Sequence, residues 1–308
     1  MLKIGLPINS FIFDSNLIMN FYSFLQVFIF FVFVALTSCE SGNSPGNSSG
    51  NEESTEMNVE RYTLSNILEE TSGLAMRNDT LWTLNDSGNE AALYAISTKG
   101  KLLEKRATNK TNIDWEDMTI VNGNMIVADM GNNFGTRKNL YLLELDLSNG
   151  GATALDSIPF HYPEQDNFGF QQATPFDAEG IVFVENKIVV FTKNRSTFTS
   201  EVYVIPATGG AATKMGSLPV GSLITGADYH QESKTLALTG YKKNENQHLY
   251  VINNFSLSAI ADAKINQYDL DFNGAQIEAV SIIDGKTFWI TSEKTRKYAA
   301  FLAKISIP

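Results

Sequence analysis

The 308-residue sequence contains one cysteine, Cys39, which excludes a disulfide framework. Histidine is equally scarce. His161, His230 and His248 are scattered without metal-ligand spacing. With 8 prolines against 22 glycines the chain is neither Pro-rich nor fibrous. Lys and Arg number 23 against 34 Asp and Glu, a formal net charge of -11. Nucleic acid and anionic membrane surfaces both demand clustered cations, so neither is expected as the main partner. No Gly-x-Ser-x-Gly elbow is present, and no glycine-rich phosphate loop opens a helix. What remains is 43% apolar and 19% charged residues, enough to bury a sizeable core.

One apolar run stands out, from Phe21 to Leu36, broken only by Ser23 and Gln26. It is short for a membrane span and has the length of a signal-peptide core. The run ends in Leu36-Thr37-Ser38-Cys39, which resembles the bacterial lipobox, in which the cysteine becomes the lipidated first residue of the mature protein. Residues 39–57 then read as a Ser/Gly/Asn-rich tether with nothing to bury. The expected organisation is a lipoprotein signal peptide over 1–38, the lipidated Cys39 with its linker over 39–57, and one folded domain over 58–308. The expected location is extracytoplasmic, on a bacterial membrane.

The domain is organised around a repeated phrase. Asp114-Trp115-Glu116-Asp117 has counterparts in Thr71-Ser72-Gly73-Leu74, Asp177-Ala178-Glu179-Gly180, Ile224-Thr225-Gly226-Ala227 and Ile277-Glu278-Ala279-Val280. From Ser72 through Glu116, Glu179 and Thr225 to Glu278 the steps are 44, 63, 46 and 53 residues, the span of one four-stranded propeller blade. After each phrase come a turn and a second strand, such as Thr80–Leu84 or Asn124–Ala128. A third strand follows, often with a tyrosine as in Leu93-Tyr94-Ala95-Ile96, and then a weaker outer strand. The fifth repeat has no outer strand of its own. Val59–Leu64, a strand without a blade, supplies it and closes the ring. The fold class is therefore all-β, a five-bladed β-propeller, with a sixth blade inside Pro163–Phe176 as the alternative.

In a blade the start of the first strand and the end of the second share a face. That geometry gathers Ser72, Glu116, Glu179, Thr225 and Glu278 round the channel. Three converging carboxylates repel one another and lose solvation unless a cation neutralises them. Oxygen ligands alone favour a hard ion, calcium over magnesium. The competing reading has these side chains hydrogen-bonded to neighbouring strands, or one of them protonated. Asp86, Asn89, Asp129 and Asn132 lie at the ends of second strands in matching Asp-x-Gly-Asn motifs, 43 residues apart. Lys193, Arg195, Lys242, Lys243, Lys294 and Arg296 occupy the same address in later blades, a basic rim suited to an anionic ligand.

The set Ser72-Gly73-Leu74, Asn85-Asp86-Ser87-Gly88-Asn89, Asp114-Trp115-Glu116-Asp117, Asp129-Met130-Gly131-Asn132-Asn133 and Asp177-Ala178-Glu179 resembles a large group of secreted bacterial propellers. More distantly the layout is similar to SdiA-regulated and esterase-like phytase propellers, and to the calcium-activated nucleotidases, or apyrases. The last of these implies a central calcium held by Ser72, Glu116, Glu179, Thr225 and Glu278. Two functions follow. One is a membrane-anchored binding or scaffold module with a central cation site. The other is a calcium-dependent phosphoester hydrolase in which Glu116 or Asp117 activates water.

Overall fold

A computed structural model describes residues 56–148, 150–242 and 246–308. The expected signal peptide, Cys39, nearly all of the tether and Lys243 lie outside the described residues. Among the described residues no helix is long and apolar enough to cross a membrane.

The domain is a five-bladed propeller. Strand β1 (Asn58–Thr63) comes first and waits for its partner. Blade 1 holds β2 (Thr71–Arg77), β3 (Thr80–Asn85), β4 (Ala92–Ile96) and β5 (Leu102–Ala107). Blade 2 holds β6 (Trp115–Val121), β7 (Asn124–Asp129), β8 (Leu140–Asp146) and β9 (Thr153–His161). Blade 3 holds β10 (Ala178–Val184), β11 (Lys187–Thr192), β12 (Ser200–Ile205) and β14 (Thr213–Leu218), while the two-residue β13 (Gly210–Ala211) runs parallel to β9. Blade 4 holds β15 (Leu223–His230), β16 (Thr235–Tyr241), β17 (Gln247–Ile252) and β18 (Asn266–Leu270). Blade 5 holds β19 (Ile277–Ile282), β20 (Thr287–Ser292) and β21 (Phe301–Ser306), and β1 pairs antiparallel with β21 from Asn58↔Ser306 to Thr63↔Phe301. Ring closure by the N-terminal strand is therefore as the sequence implied.

Local chemistry makes these elements. Three of the inner hairpins turn on two residues, Asn78-Asp79, Asn122-Gly123 and Glu185-Asn186, each pair with both φ positive. That is the turn whose twist matches flanking strands, and Asn, Asp and Gly tolerate it best. The core is divided into five apolar wedges, each filled from two successive blades. Tyr94, Tyr203 and Tyr250 of the third strands are buried in those wedges. Tyr141 is half-buried and donates to Asp129 Oδ2 at 2.8 Å.

The segment Pro163–Phe176 forms no blade, so the six-bladed alternative falls. It packs instead against the turn after β7, through Gln171 N–H to Phe134 O at 2.9 Å and Gln165 Nε2 to Gly135 O at 2.8 Å.

Inside the channel, two aspartates tie blades together. Asp117 Oδ1 accepts the Met118 N–H at 2.8 Å, and Oδ2 accepts the N–H of Ile181 at 3.0 Å and of Ala227 at 3.3 Å. Asp228 Oδ2 accepts the Ile282 N–H at 2.7 Å in the same manner. One buried carboxylate thus satisfies amides from blades 2, 3 and 4. Asp117→Asn would set an NH2 group against an N–H donor and orphan it, at a cost of about 3 kcal/mol. Urea unfolding measures this, and a loss under about 1 kcal/mol would show that the amides find other partners.

Candidate functional site

All five inner strands shift register at one step, between Ser72 and Leu74, Trp115 and Asp117, Ala178 and Gly180, Ile224 and Gly226, and Ile277 and Ala279. In blades 2 to 5 the residue left out of the ladder is Glu116, Glu179, Thr225 or Glu278. These are the positions the repeated phrase aligns. In blade 1 it is Gly73 at φ 37, where an added Cβ would lie 3.0 Å from Asp117 Cα. A bulge releases one side chain from strand alternation and re-aims it. Here five bulges stand around one axis, four of them carrying a side chain, since the inner strands neighbour one another in sequence order and β19 returns to β2.

The ring residues then part company. Ser72 Oγ donates to the Glu116 carbonyl, and Thr225 Oγ1 donates to the Ile277 carbonyl at 2.7 Å, so both hydroxyls tie one blade to the next. Glu179 is neutralised, with Lys193 Nζ at 2.5 Å from Oε2 and Arg195 Nη2 at 3.6 Å from Oε1. Burial works against the Lys193 ammonium, but Glu179 and Glu278 outweigh it and raise its pKa. Arg195 also grips Asp177 Oδ2 at 2.8 Å and donates to Asn133.

Glu116 has no such cover. It is 5% exposed, and no hydrogen bond to its carboxylate is made among the described residues. Its oxygens lie with those of Asp86 and Asp114 in a set whose ligand atoms all fall within 4.8 Å of one another. Asp86 comes from the turn after β3, Asp114 from the residue preceding β6, and Glu116 from the β6 bulge. Burial raises all three carboxyls, Asp114 to about 6, and the negative neighbours raise them further. The backbone of Gly131 presses against this triad. A Cβ there would lie 2.0 Å from Glu116 Oε1 and 2.4 Å from Asp114 Oδ2, so only glycine leaves the space open. Arg137 holds the same turn through Gly131 O at 2.9 Å and Asp129 Oδ1 at 2.6 Å, and reaches Asp114 only at 3.9 Å.

A second acidic group borders the first. Burial pushes the Glu293 carboxyl up to about 9, with Glu278, Asp86 and Glu70 adding to the effect, and pushes Glu278 up to about 7. Glu278 and Glu293 make no ion pair among the described residues.

The other expected site residues are placed as follows. Asp117 is committed to three backbone amides in the channel. Asp129 accepts from Arg137, Tyr141 and the N–H groups of Ile113 and Asp114. Asn132 donates its N–H to Asp177 and accepts from the Arg137 N–H. Asn89 donates to Glu70 and to the Asp86 carbonyl. Lys242 influences Asp269 on the outer strand, Lys294 pairs with Glu69 at 2.8 Å, and Arg296 is exposed. The basic rim is thus divided: Lys193 and Arg195 sit in the acidic centre and the others away from it. Asp114, Asp177, Glu70 and Glu293 were not singled out from sequence.

Three carboxyls with raised values fix the sign of a pH dependence. Each prefers its proton more in the folded state than in the unfolded one. The stability they contribute is complete below their ordinary carboxylate range and is lost as pH rises through about 6 for Asp114, 7 for Glu278 and 9 for Glu293. In chelator the urea midpoint should fall between about pH 5 and 9, and Glu293→Gln should remove the upper part of that fall. A midpoint that climbs over this interval would contradict the assignment.

No family model matches the chain, and no curated protein does. Solved structures do. The soluble aldose sugar dehydrogenase of Escherichia coli is similar at 9% identity and a TM-score of 0.49, over 82% of this chain and 100% of that one. A putative exported protein of Bacteroides fragilis is similar at 8% identity and a TM-score of 0.44, over 85% and 98%. A protein of unknown function from Bacteroides caccae is similar at 13% identity and a TM-score of 0.41, over 71% and 69%. These likenesses concern the fold alone.

Proposed function

We propose that this chain is an extracytoplasmic binding propeller, anchored to a bacterial membrane by a lipid on Cys39, whose channel face holds a hard divalent cation. The reading rests on Glu116, a buried carboxylate with no donor, grouped with Asp86 and Asp114 around a space that Gly131 keeps clear. Buried charge without a partner is costly, and an ion removes that cost. Carboxylate oxygens alone suit calcium, which takes six to eight oxygen ligands and tolerates irregular geometry. Three protein carboxylates would leave positions for water or for a ligand's own oxygens.

The anchor is supported by the apolar run ending at Leu36-Thr37-Ser38-Cys39. A calcium-dependent phosphoester hydrolase has less support. It would need cations free to take the phosphate beside the triad, whereas Lys193 and Arg195, the cations set among these carboxylates, are committed to Glu179 and Asp177.

Calcium at about a hundred times its Kd should stabilise the protein by about 2.7 kcal/mol, a rise in Tm of roughly 5–10 °C. Glu116→Gln, Asp114→Asn and Gly131→Ala should each abolish the rise, the last without removing any ligand. A Tm indifferent to both calcium and chelator would remove the cation site. Phosphate release from nucleotides or inositol phosphates, lost in Glu116→Gln, would reinstate the hydrolase.

A further inference from the structure

An open cavity of about 770 Å3 lies where the ring closes, between the turn after β3, the segment linking β1 to β2, and the loop leaving β20. Its walls carry Ile67, Glu69, Glu70, Asn89, Lys294 and Arg296. The formal charges cancel, two carboxylates against an ammonium and a guanidinium. A ligand with net charge of either sign therefore gains little overall. A purely apolar ligand is not well served either, because polar and apolar surface share the walls about equally, Ile67, 40% exposed, being the one apolar residue among them.

The NH2 group of Asn89 is taken by Glu70 and the Asp86 carbonyl, which leaves its Oδ1 to accept, and the groups on the opposite wall are available. Lys294 and Glu69 are 53% and 39% exposed, and an exposed pair of this kind contributes little, so ligand hydroxyls can replace it. Arg296 makes no ion pair among the described residues. Carboxylates that only accept, a guanidinium and an ammonium that only donate, and amides that do both together suit a ligand whose every polar group is donor and acceptor at once. Uncharged hydroxyls on a carbon ring, with a C–H face for Ile67, have this character. The volume falls within the ordinary range of ligand cavities, about 300–1,000 Å3.

We propose that this cavity binds a neutral saccharide. Asn89 on its wall and Asp86 of the acidic triad belong to one turn, and Asn89 Nδ2 donates to the Asp86 carbonyl at 3.1 Å. A sugar seated against Asn89 therefore extends toward the cation site, where its hydroxyls supply neutral oxygen ligands of the kind hard cations accept. That extension rests on the cation reading above, whereas the cavity does not.

The test is calorimetric titration of the full chain with maltotriose, cellotriose, chitotriose, trigalacturonate and inorganic phosphate, each with calcium and with chelator. A neutral trisaccharide should bind, more tightly in calcium. Asn89→Ala and Arg296→Gln should weaken it about ten-fold or more, the loss of hydrogen bonds to an amide and to a charged group. Arg296→Gln should leave the calcium-induced rise in Tm unchanged. Binding of trigalacturonate or phosphate alone overturns the proposal in favour of an anion site. Binding of none of the five, with the calcium response intact, overturns it and leaves the cation reading standing. A neutral sugar bound with no calcium response at all sustains the cavity and removes the cation.

Discussion

Negative charge taken out of water without compensation is the constraint on which the channel face depends. Eight carboxylates gather there: Glu70, Asp86, Asp114, Glu116, Asp177, Glu179, Glu278 and Glu293. The protein meets their mutual repulsion in two ways. Lys193 and Arg195 cover Glu179 and Asp177, and Arg137 covers Asp129 beneath them. Protonation serves Glu278 and Glu293, whose values rise to about 7 and 9. Glu116 shares the upward shift, but around Glu116, Asp86 and Asp114 the nearest pairing cation is Arg137 at 3.9 Å from Asp114, which is why the cation reading centres there. An acidic crowd alone would not justify it. The decisive contrast is that cations are close by and are spent on other residues.

The bulge gives this arrangement its geometry. A regular inner strand would alternate its side chains between the two adjoining wedges, and a carboxylate at the bulge position would meet apolar neighbours. One unpaired residue per blade redirects that side chain without disturbing the hairpin beyond it. Immediately after each bulge the ladder resumes. Asp117 and Asp228 then use their carboxylates on amides of neighbouring blades, and at Glu116 and Asp117 adjacent positions on one strand separate the acidic triad from cohesion.

The fold was legible because its determinants are local. Asn78-Asp79 and Asn122-Gly123 name their turn type, and the spacing of Ser72, Glu116, Glu179, Thr225 and Glu278 gives the blade count. The site was legible only in part, because its chemistry is settled between blades. No pattern within the phrase reveals that Lys193 takes Glu179, or that the hydroxyls of Ser72 and Thr225 are used on carbonyls of the adjoining blade. The spacing aligned four of the five positions with the bulges, the fifth bulge falling on Gly73 beside Ser72, but which oxygens remain free depends on cross-blade distances.

The pairing of β1 with β21 bears on how the molecule must form. Blades 1, 3 and 4 each draw their strands from one contiguous stretch, and blade 2 does so apart from the two-residue β13 added to its edge, so each can assemble as its stretch emerges. Blade 5 draws on residues near both ends of the domain, about 240 residues apart, so its outer pair is among the most non-local contacts in the fold. The circle is therefore completed last, by a segment made first. Until Phe301–Ser306 arrives, Asn58–Thr63 has no partner edge, and a nascent chain carries that idle strand through the whole of its synthesis.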